Sequence, residues 1–408
     1  MRNIKKHINE IWVNWEELIQ LGTGKKIVFF GRGEWAEKTL PYLNFKADYI
    51  VDNNEYEQGQ IEHDLKILNP NVLKEENHEE LLIIITTTGF QEVSDQLVDF
   101  GLTPGKHFIV SPSLKNFHSI HRINQHDCTL LLTCSDRPRE DLYKGGGLYS
   151  YNLGKRELTK IINGVCHGFV YSDDSIMLID DLVGVRILDK ELKEKTHFSL
   201  PAKSRPHGIA YSKKFEQLYI NFAGRDSIGV YSAKTFENVG EIFLSEKWRR
   251  TSIAQHHLND LYAHDDSLYV CMFSLSGNWK RGVYDGGILE VDIKTSKILE
   301  PVVTNLWMPH SPIILNGDLC YCDSMRGTVH NTTWKIITQF NGFVRGIAHD
   351  GMFYYVGQSM HRYVDRLEHA SNNISMDTGI YLVDGHNKTT KFFSIHNLTD
   401  IKSIAIMP

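Results

Sequence analysis

The sequence predicts a mainly β fold: a six-bladed β-propeller closed by the C-terminal strand and preceded by a small α/β Rossmann-like domain. Three observations predict it. Strands alternate with helices in the first hundred residues, one apolar phrase then recurs to the end of the chain, and the strands that open this second part lack an inner partner. The two parts have different periods, so we expect two different domains.

Composition and charge limit the classes of function. The chain has 408 residues, of which 41% are hydrophobic and 23% charged, as is usual for globular proteins. A formal net charge of −6 and a pI near 6.4 argue against nucleic acid as a partner. Six cysteines, all within strand patterns, indicate reduced thiols and a cytoplasmic protein.

The first 22 residues carry charges throughout and have no long apolar core. They predict an amphipathic helix over 1–22, and neither a secretion signal nor a membrane span.

Residues 23–115 predict the Rossmann-like domain. Runs such as KKIVFFG (25–31) and LLIIITT (81–87) are continuously apolar, and EWAEKTLPYL and QEVSDQLVDFG have helical patterns. Strands of this kind, alternating with helices, form parallel sheets covered on both faces. We expect four strands here, followed by a linker over 116–127.

The first turn of this domain reads GRGEWA, a GxGxxA pattern between a strand and a helix. Gly31, Arg32 and Gly33 are expected to bring the backbone close to a diphosphate. Asp52 ends the second strand, where a carboxylate could accept a hydrogen bond from a ribose hydroxyl. The predicted ligand is a nucleotide or nucleotide-sugar. In the alternative, the glycines serve only a tight turn.

The recurring phrase defines the propeller, over 128–408. Each copy has a polar residue, a small residue, an apolar strand, a polar turn and a second strand, as in PHGIAYSKKFEQLYI. The aligned polar residues are separated by 40, 52, 51, 35 and 57 positions. A constant phrase at unequal spacing is typical of propeller blades, although an open sandwich is the alternative. The aligned residues are His167, His207, Asn259, His310, Arg345 and Lys402.

The last copy, IKSIAIMP, has no strands after it, whereas CTLLLTCS (128–135) has no inner partner before it. We therefore expect residues 400–407 to join the first blade and to close the ring, which also hides sheet edges.

Equivalent residues at the starts of innermost strands converge on one mouth of a propeller channel. His167, His207 and His310 are equivalent, and His257 lies two residues before Asn259. Neutral imidazoles that converge on one point can bind a divalent transition metal, here Mn, Fe or Zn. The predicted metal ligands are His167, His207, His257 and His310.

Arg345 and Lys402 add positive charge beside these histidines. They could hold an anionic group while a metal polarises its oxygen, so His207, His310, Arg345 and Lys402 are the predicted catalytic residues. In the alternative, the polar residues join neighbouring blades by hydrogen bonds, and Arg345 forms a structural salt bridge.

Two resemblances add to this interpretation. The order GRGEWAEKTLPYL, YIVDNN, IIITT and GLTPGKHFI, over about residues 24–112, resembles the small Rossmann-type domain of nucleotide-sugar and surface-polysaccharide enzymes. That resemblance implies a nucleotide-sugar or dinucleotide ligand and no particular chemistry.

The second part, over 128–408, resembles an uncharacterised bacterial β-propeller family, a domain of unknown function. The resemblance lies in MPHSP (308–312), DSMRG (323–327), NGFVRG (341–346), VGQS (356–359) and HHLND (256–260). At the turn where the family usually has Asn-Gly, this chain departs from the pattern with Asn259-Asp260. The resemblance implies the fold and no activity.

Two functions remain open from the sequence. One is an enzyme of carbohydrate or cell-surface polysaccharide metabolism, a metal-dependent lyase or hydrolase acting on an anionic sugar or nucleotide-linked substrate. The other is a non-catalytic binding module with a degenerate Rossmann scaffold. The sequence sets neither the substrate nor the oligomeric state.

Overall fold

A computed structural model gives the structure of the protein, and it describes residues 11–140, 144–332, 336–367, 373–385 and 387–407. The chain divides into two compact units, residues 1–124 and residues 125–408. The predicted N-terminal helix lies partly outside the described residues; its described part contains helix α1, Trp15–Gly22. Asn14 caps α1 by accepting a hydrogen bond from the Glu17 amide.

The first unit contains one six-stranded sheet in the order β3-β4-β2-β1-β5-β6. Its strands are β1 Lys26–Phe30, β2 Tyr49–Val51, β3 Ile61–Glu62, β4 Leu65–Leu68, β5 Leu81–Ile85 and β6 Phe108–Val110. Its helices after α1 are α2 Glu34–Thr39, α3 Phe90–Asp99 and α4 Lys115–Gln125, of which only the last residue lies outside the unit, with short 3₁₀ turns at Leu40–Tyr42, Glu55–Glu57, Pro70–Lys74, His78–Glu80 and Pro112–Leu114.

This sheet is mixed. β1 pairs in parallel with β2 and β5, but β3 pairs with β4 in antiparallel orientation. The expectation of four parallel strands missed β3 and β4, because these strands are only two and four residues long. Both faces of the sheet are buried, one through Val28 and Ile83 and the other through Phe29 and Ile84.

The second unit is a mainly β, six-bladed propeller. It begins at Gln125, the last residue of α4, and this helix occupies most of the range expected to be a linker. Blade 1 has β7 Thr129–Pro138, β8 Gly145–Asn152 and β9 Glu157–Asn163; blade 2 has β10 Cys166–Tyr171, β11 Ile176–Asp180, β12 Gly184–Leu188 and β13 Glu194–Phe198; blade 3 has β14 Pro206–Ser212, β15 Gln217–Phe222, β16 Ser227–Ser232 and β17 Asn238–Phe243.

The other three blades continue the pattern. Helix α5, Glu246–Thr251, follows blade 3, and 3₁₀ turns form at Trp279–Arg281 and Val364–Arg366. Blade 4 has β18 Leu258–His264, β19 Ser267–Met272, β20 Gly286–Asp292 and β21 Lys297–Leu306; blade 5 has β22 Pro309–Leu315, β23 Asp318–Asp323, β24 Thr328–Asn331 and β25 Ile336–Gln339; blade 6 has β26 Phe343–His349, β27 Phe353–Ser359, β28 Gly379–Asp384 and β29 Thr389–Ser394.

The last strand, β30 Ile404–Ile406, is the fourth strand of blade 1. It pairs antiparallel with β7, with Ile404 opposite Leu132 and Ile406 opposite Leu130. It also contacts the first strand of blade 6, β26. That this strand is what keeps the ring closed stays a prediction. In the part of the chain that the structure describes, no helix is both long and apolar enough to cross a membrane.

Candidate functional site

A bulge recurs in the first strand of blades 2 to 6 and directs side chains away from the sheets. In each of these blades the pairing between the first and second strands shifts at the same point, for example between Cys166 and Phe169 and between Pro206 and Ile209. A β-bulge re-aims the side chains next to it. Four of the aligned polar residues lie in these bulges, and a fifth, His310, lies directly before one.

Small residues after the aligned positions let neighbouring first strands approach closely. A Cβ on Gly208 would lie 2.8 Å from the Asn259 carbonyl oxygen of the next blade, so no larger residue fits there. Where the position is not glycine, side chains join the blades instead. Ser311 donates its amide to Asp260 over 2.8 Å, and its hydroxyl accepts from the Gly346 amide over 2.7 Å.

The aligned residues of several blades line one cavity, which we call the axial pocket. Its volume is about 130 Å³. Five residues predicted to be functional line it: His207, His257, His310, Arg345 and Lys402. Phe273, Phe343, Met360 and Tyr363 form an apolar part of its wall. His167 is not among the lining residues, but its ring lies 4.8 Å from that of His207.

Asp400 is the fully buried carboxylate beside this pocket. Its Oδ1 accepts hydrogen bonds from the Cys134 thiol and the Ser135 amide, both at 2.9 Å. Its Oδ2 accepts from the Ser135 hydroxyl, also at 2.9 Å. Both carboxylate oxygens therefore accept hydrogen bonds from blade 1, in addition to their contacts with cations.

Three cations converge on the same Oδ2 of Asp400. Arg362 contacts it at 2.7 Å, Arg345 at 3.1 Å and Lys402 at 3.7 Å. Burial alone would raise the pKa of Asp400, but Lys402, Arg345 and Arg362 together hold it well below its usual range. The carboxylate is ionised, and positive charge exceeds negative charge in this cluster.

The two arginines keep donors unused. Arg345 donates from Nε to Ser359 and from Nη2 to Asp400, and within the described residues its Nη1 has no hydrogen-bond partner. Arg362 makes one side-chain hydrogen bond in the described ranges, to Asp400, and 45% of its side chain is exposed. The sequence-based alternative of a structural salt bridge for Arg345 is thus present, and the same side chain lines the axial pocket.

His310 is fixed by hydrogen bonds on both ring nitrogens. Its Nδ1 lies 2.9 Å from the Met308 carbonyl oxygen and 2.7 Å from the Ser324 hydroxyl. Because a carbonyl only accepts, Nδ1 carries the proton, and Nε2 accepts from the Asn259 amide group over 2.9 Å. Neither nitrogen is left for a metal or for a substrate proton.

His167 and His207 each have a ring nitrogen without a hydrogen-bond partner in the described residues. In both side chains this nitrogen is the buried Nδ1. Burial lowers the pKa of both far below its ordinary value, and it lowers the pKa of His257, with help from Arg205 and Lys402, to about 3. These imidazoles are therefore neutral at physiological pH.

The structure gives the predicted metal centre no support. Among the described residues, no group of three or more His, Cys, Asp or Glu side chains is arranged to hold a metal ion. The rings of His167, His207 and His257 are neighbours in that order, with centroids 4.8 and 5.4 Å apart, but His310 is hydrogen-bonded to the protein at both nitrogens. The Mn, Fe or Zn site stays a prediction.

Sequence reasoning missed Asp400, Arg362 and Arg205. Asp400 and Arg205 lie two residues before Lys402 and His207, which is the offset that placed His257 before Asn259. Applied to every blade, that offset would have found them. Arg362 comes from the connection after β27 and has no counterpart in the repeated phrase, so no sequence signal marked it.

The predicted nucleotide site of the first unit has a different character. Gly31 has φ +101°, and a Cβ there would lie 2.9 Å from the Thr87 Cβ, so this glycine is required by the turn itself. A Cβ on Gly33 would meet nothing within 4 Å. α2, which begins at Glu34, is only six residues long and carries Glu34 and Glu37 in its first turn.

Arg32 and Asp52 are engaged by their neighbours. The Arg32 guanidinium donates to Glu57 over 2.9 Å and to Glu62 over 3.0 Å. The Asp52 carboxylate accepts from the Arg32 amide over 3.3 Å and from the Asn54 amide over 2.9 Å. These contacts fit the alternative in which the turn is structural, and nucleotide binding by Gly31, Arg32, Gly33 and Asp52 stays a prediction.

One known protein family matches part of the propeller sequence. The family described as "Domain of unknown function (DUF4915)" matches residues 248–408, fewer than half of the chain and within the range where the sequence resembles an uncharacterised propeller family. No curated protein matches the chain.

Solved structures are similar at low identity. A chain of a nidogen/laminin complex and a protein of unknown function from Bacteroides caccae each share 12% identity, over 69% of this chain and 99% of theirs, with TM-scores of 0.47 and 0.48. The calcium-binding protein regucalcin from Agrobacterium tumefaciens shares 12% identity over 54% of this chain and 70% of its own, with a TM-score of 0.39. At these values none of the three bears on what this chain binds, whereas over residues 248–408 the chain is similar to the DUF4915 domain.

Proposed function

We propose that the propeller binds a small organic anion in the axial pocket. The observation that carries this proposal is the charge imbalance around Asp400, where Arg345, Arg362 and Lys402 share one carboxylate oxygen. An anion whose oxygens accept from the arginines would balance the remaining positive charge, and charge-assisted hydrogen bonds of this kind are strong.

The size and the walls of the pocket narrow the class of ligand. A volume of about 130 Å³ suits a ligand head group of a few heavy atoms and leaves no room for a nucleotide. Phe343 lies under the Arg345 guanidinium, 5.5 Å away, and Phe273 faces His257 at 4.4 Å. A carboxylate or phosphate joined to a short carbon skeleton fits both the charged and the apolar parts.

The enzyme predicted from the sequence acts on an anionic sugar in carbohydrate or polysaccharide metabolism, and that activity stays a prediction. A sugar acid belongs to the proposed class. The non-catalytic alternative requires the same pocket, so anion binding is the step to measure first.

Calorimetric titration with oxalate, pyruvate, glucuronate and phosphate tests the proposal. We expect at least one carboxylate to bind, and we expect Arg362→Gln to weaken that binding about tenfold or more, since a hydrogen bond to a charged group contributes about 1.5–3 kcal/mol. Arg249→Gln is the matched control, because Arg249 is an exposed arginine on α5 that pairs with Glu246. Equal affinities of the Arg362 variant and the wild type, or no binding of any of the four anions, would refute the proposal.

A further inference from the structure

The side chain of Lys402 is enclosed and poorly paired. It lines the axial pocket and only 11% of it is exposed. Within the described residues its amine makes no hydrogen bond, and the carboxylate with which it forms an ion pair, Asp400, is 3.7 Å away. A buried ammonium normally takes up to three hydrogen bonds, so this environment favours the neutral amine.

Competition between Lys402 and the two arginines for Asp400 also favours the neutral amine of Lys402. Arg345 and Arg362 hold the shared oxygen at 3.1 and 2.7 Å, and an arginine keeps its proton where a lysine loses it. Burial and the charge of Arg345 lower the pKa of Lys402 to about 7, against the opposing effect of Asp400. Other groups that act on this amine or respond to it are Arg362, Asp260, His167, His207, His257 and His310.

We propose that the Lys402 amine is a nucleophile that forms an imine with a small 2-oxo acid, whose carboxylate is bound by Arg345 and Arg362. This inference rests on the proposed function, since the arginines must hold the anion. Both guanidinium groups and the Lys402 amine lie around one oxygen of Asp400, so a carboxylate on the arginines puts its neighbouring carbonyl carbon within reach of the amine.

The reaction balances without a further reactant. The nitrogen lone pair attacks the carbonyl carbon, and the carbonyl oxygen takes a proton to give a carbinolamine. The hydroxyl then leaves as water with the second amine proton, and a carbon–nitrogen double bond forms. His207 and His257 line the same pocket as neutral imidazoles and could carry protons between nitrogen and oxygen.

Trapping of the imine tests the inference. The full chain is incubated with pyruvate and sodium cyanoborohydride, and intact mass and peptide mapping locate the product. We expect one addition per chain, equal to pyruvic acid less one oxygen atom, at Lys402, and its loss in Lys402→Arg, which keeps the charge but forms no imine. Lys294→Arg is the control, because Lys294 is an exposed lysine paired with Asp266, and it should label as the wild type does.

The pH dependence separates this amine from surface lysines. Imine formation needs the neutral amine, so labelling should rise as the pH increases through about 7 and level off above it. Labelling that rises only near pH 10, that maps to other lysines or that persists in Lys402→Arg would overturn the inference.

The two proposals fail in different ways. Calorimetric binding of oxalate or pyruvate without trapped product would leave anion binding intact and would overturn the role of Lys402. Absence of both binding and labelling would overturn both proposals.

Discussion

The turn after β1 and the axial pocket both have the residue pattern of a ligand site, yet their electrostatics are opposite. At the turn, one guanidinium, Arg32, is held by two carboxylates. In the pocket, one carboxylate, Asp400, is shared by three cations. The turn therefore has no excess of positive charge, because Glu57 and Glu62 both face Arg32, whereas positive charge exceeds negative charge around Asp400.

The comparison teaches that residue type alone does not identify a binding site. Glycines between a strand and a helix are needed both by diphosphate sites and by ordinary turns, and Gly31 meets the second need through its φ of +101°. Buried donors without partners are more informative, because an unsatisfied polar group carries an energetic cost. Within the described residues the Lys402 amine makes no hydrogen bond although only 11% of the side chain is exposed, whereas the Arg32 guanidinium donates to two carboxylates.

The largest expected effect comes from removing residues 400–408. This deletion takes away β30, Asp400 and Lys402. Blade 1 then loses its fourth strand, and the axial pocket loses the Lys402 amine and the carboxylate beside it. We expect the propeller to lose its cooperative thermal unfolding transition, as followed by circular dichroism. A chain shortened by Pro408 alone is the control. Unchanged stability of the longer deletion would contradict closure of the ring by β30.

The next effect is that of Asp400→Asn, which removes the carboxylate that pairs with buried Arg345 and lies nearest to Lys402. We expect a loss of about 3–5 kcal/mol in the free energy of unfolding, measured by urea denaturation. Asp173→Asn, at an exposed pair with Lys213, should cost at most about 1 kcal/mol. Equal costs for the two variants would show that the pocket charge is as well solvated as the surface pair.

A smaller effect, of opposite sign, is expected for Lys402→Met. The unfolded chain protonates this lysine near pH 10.5, whereas the folded chain does so near pH 7, so folding stability falls as the pH decreases between these values. A methionine side chain at this position does not titrate, and we expect the variant to be more stable at pH 7 by about 2 kcal/mol, well below the full value of the pKa shift. Its stability should also vary less between pH 7 and 10. Thermal melts over that range test this, and a wild-type stability that is flat there would contradict it.

The smallest effect is expected at the turn. Gly33→Ala should leave the free energy of unfolding within about 1 kcal/mol of the wild type, because its Cβ meets open space. Gly31→Ala should be clearly less stable, because of its positive φ and the close Thr87. Calorimetry with UDP completes the comparison: a nucleotide that binds the wild type and not Gly33→Ala would make the turn a ligand site after all.

Much of the propeller could be predicted from the sequence, because each blade repeats one local pattern. The repeated phrase located the first strand of five blades, and the unpaired CTLLLTCS run pointed to the pairing of Ile404 with Leu132. β3 and β4 could not be predicted, since they are only two and four residues long and are placed by the pairing of β4 with β2 and of β3 with β4.

The candidate site was predictable only in part. The alignment brought His207, His310, Arg345 and Lys402 together, because equivalent positions share a place on the axis. Their roles were not predictable. His310 is fixed by Asn259 and Met308, and hydrogen bonds of this kind depend on side-chain orientation across blades, which no single segment encodes.

The position of Asp400 also has a consequence for the order of folding. Its carboxylate binds the Cys134 thiol, 266 positions earlier in the chain. Contacts of such long sequence separation form late, because their loop entropy must be overcome first. During synthesis β7 therefore pairs with β8 alone, and its other edge stays open until residues 404–406 emerge; such edges promote aggregation. Completion of the sheet and assembly of the pocket are then one late event, so a chain whose synthesis stops before residue 400 has neither.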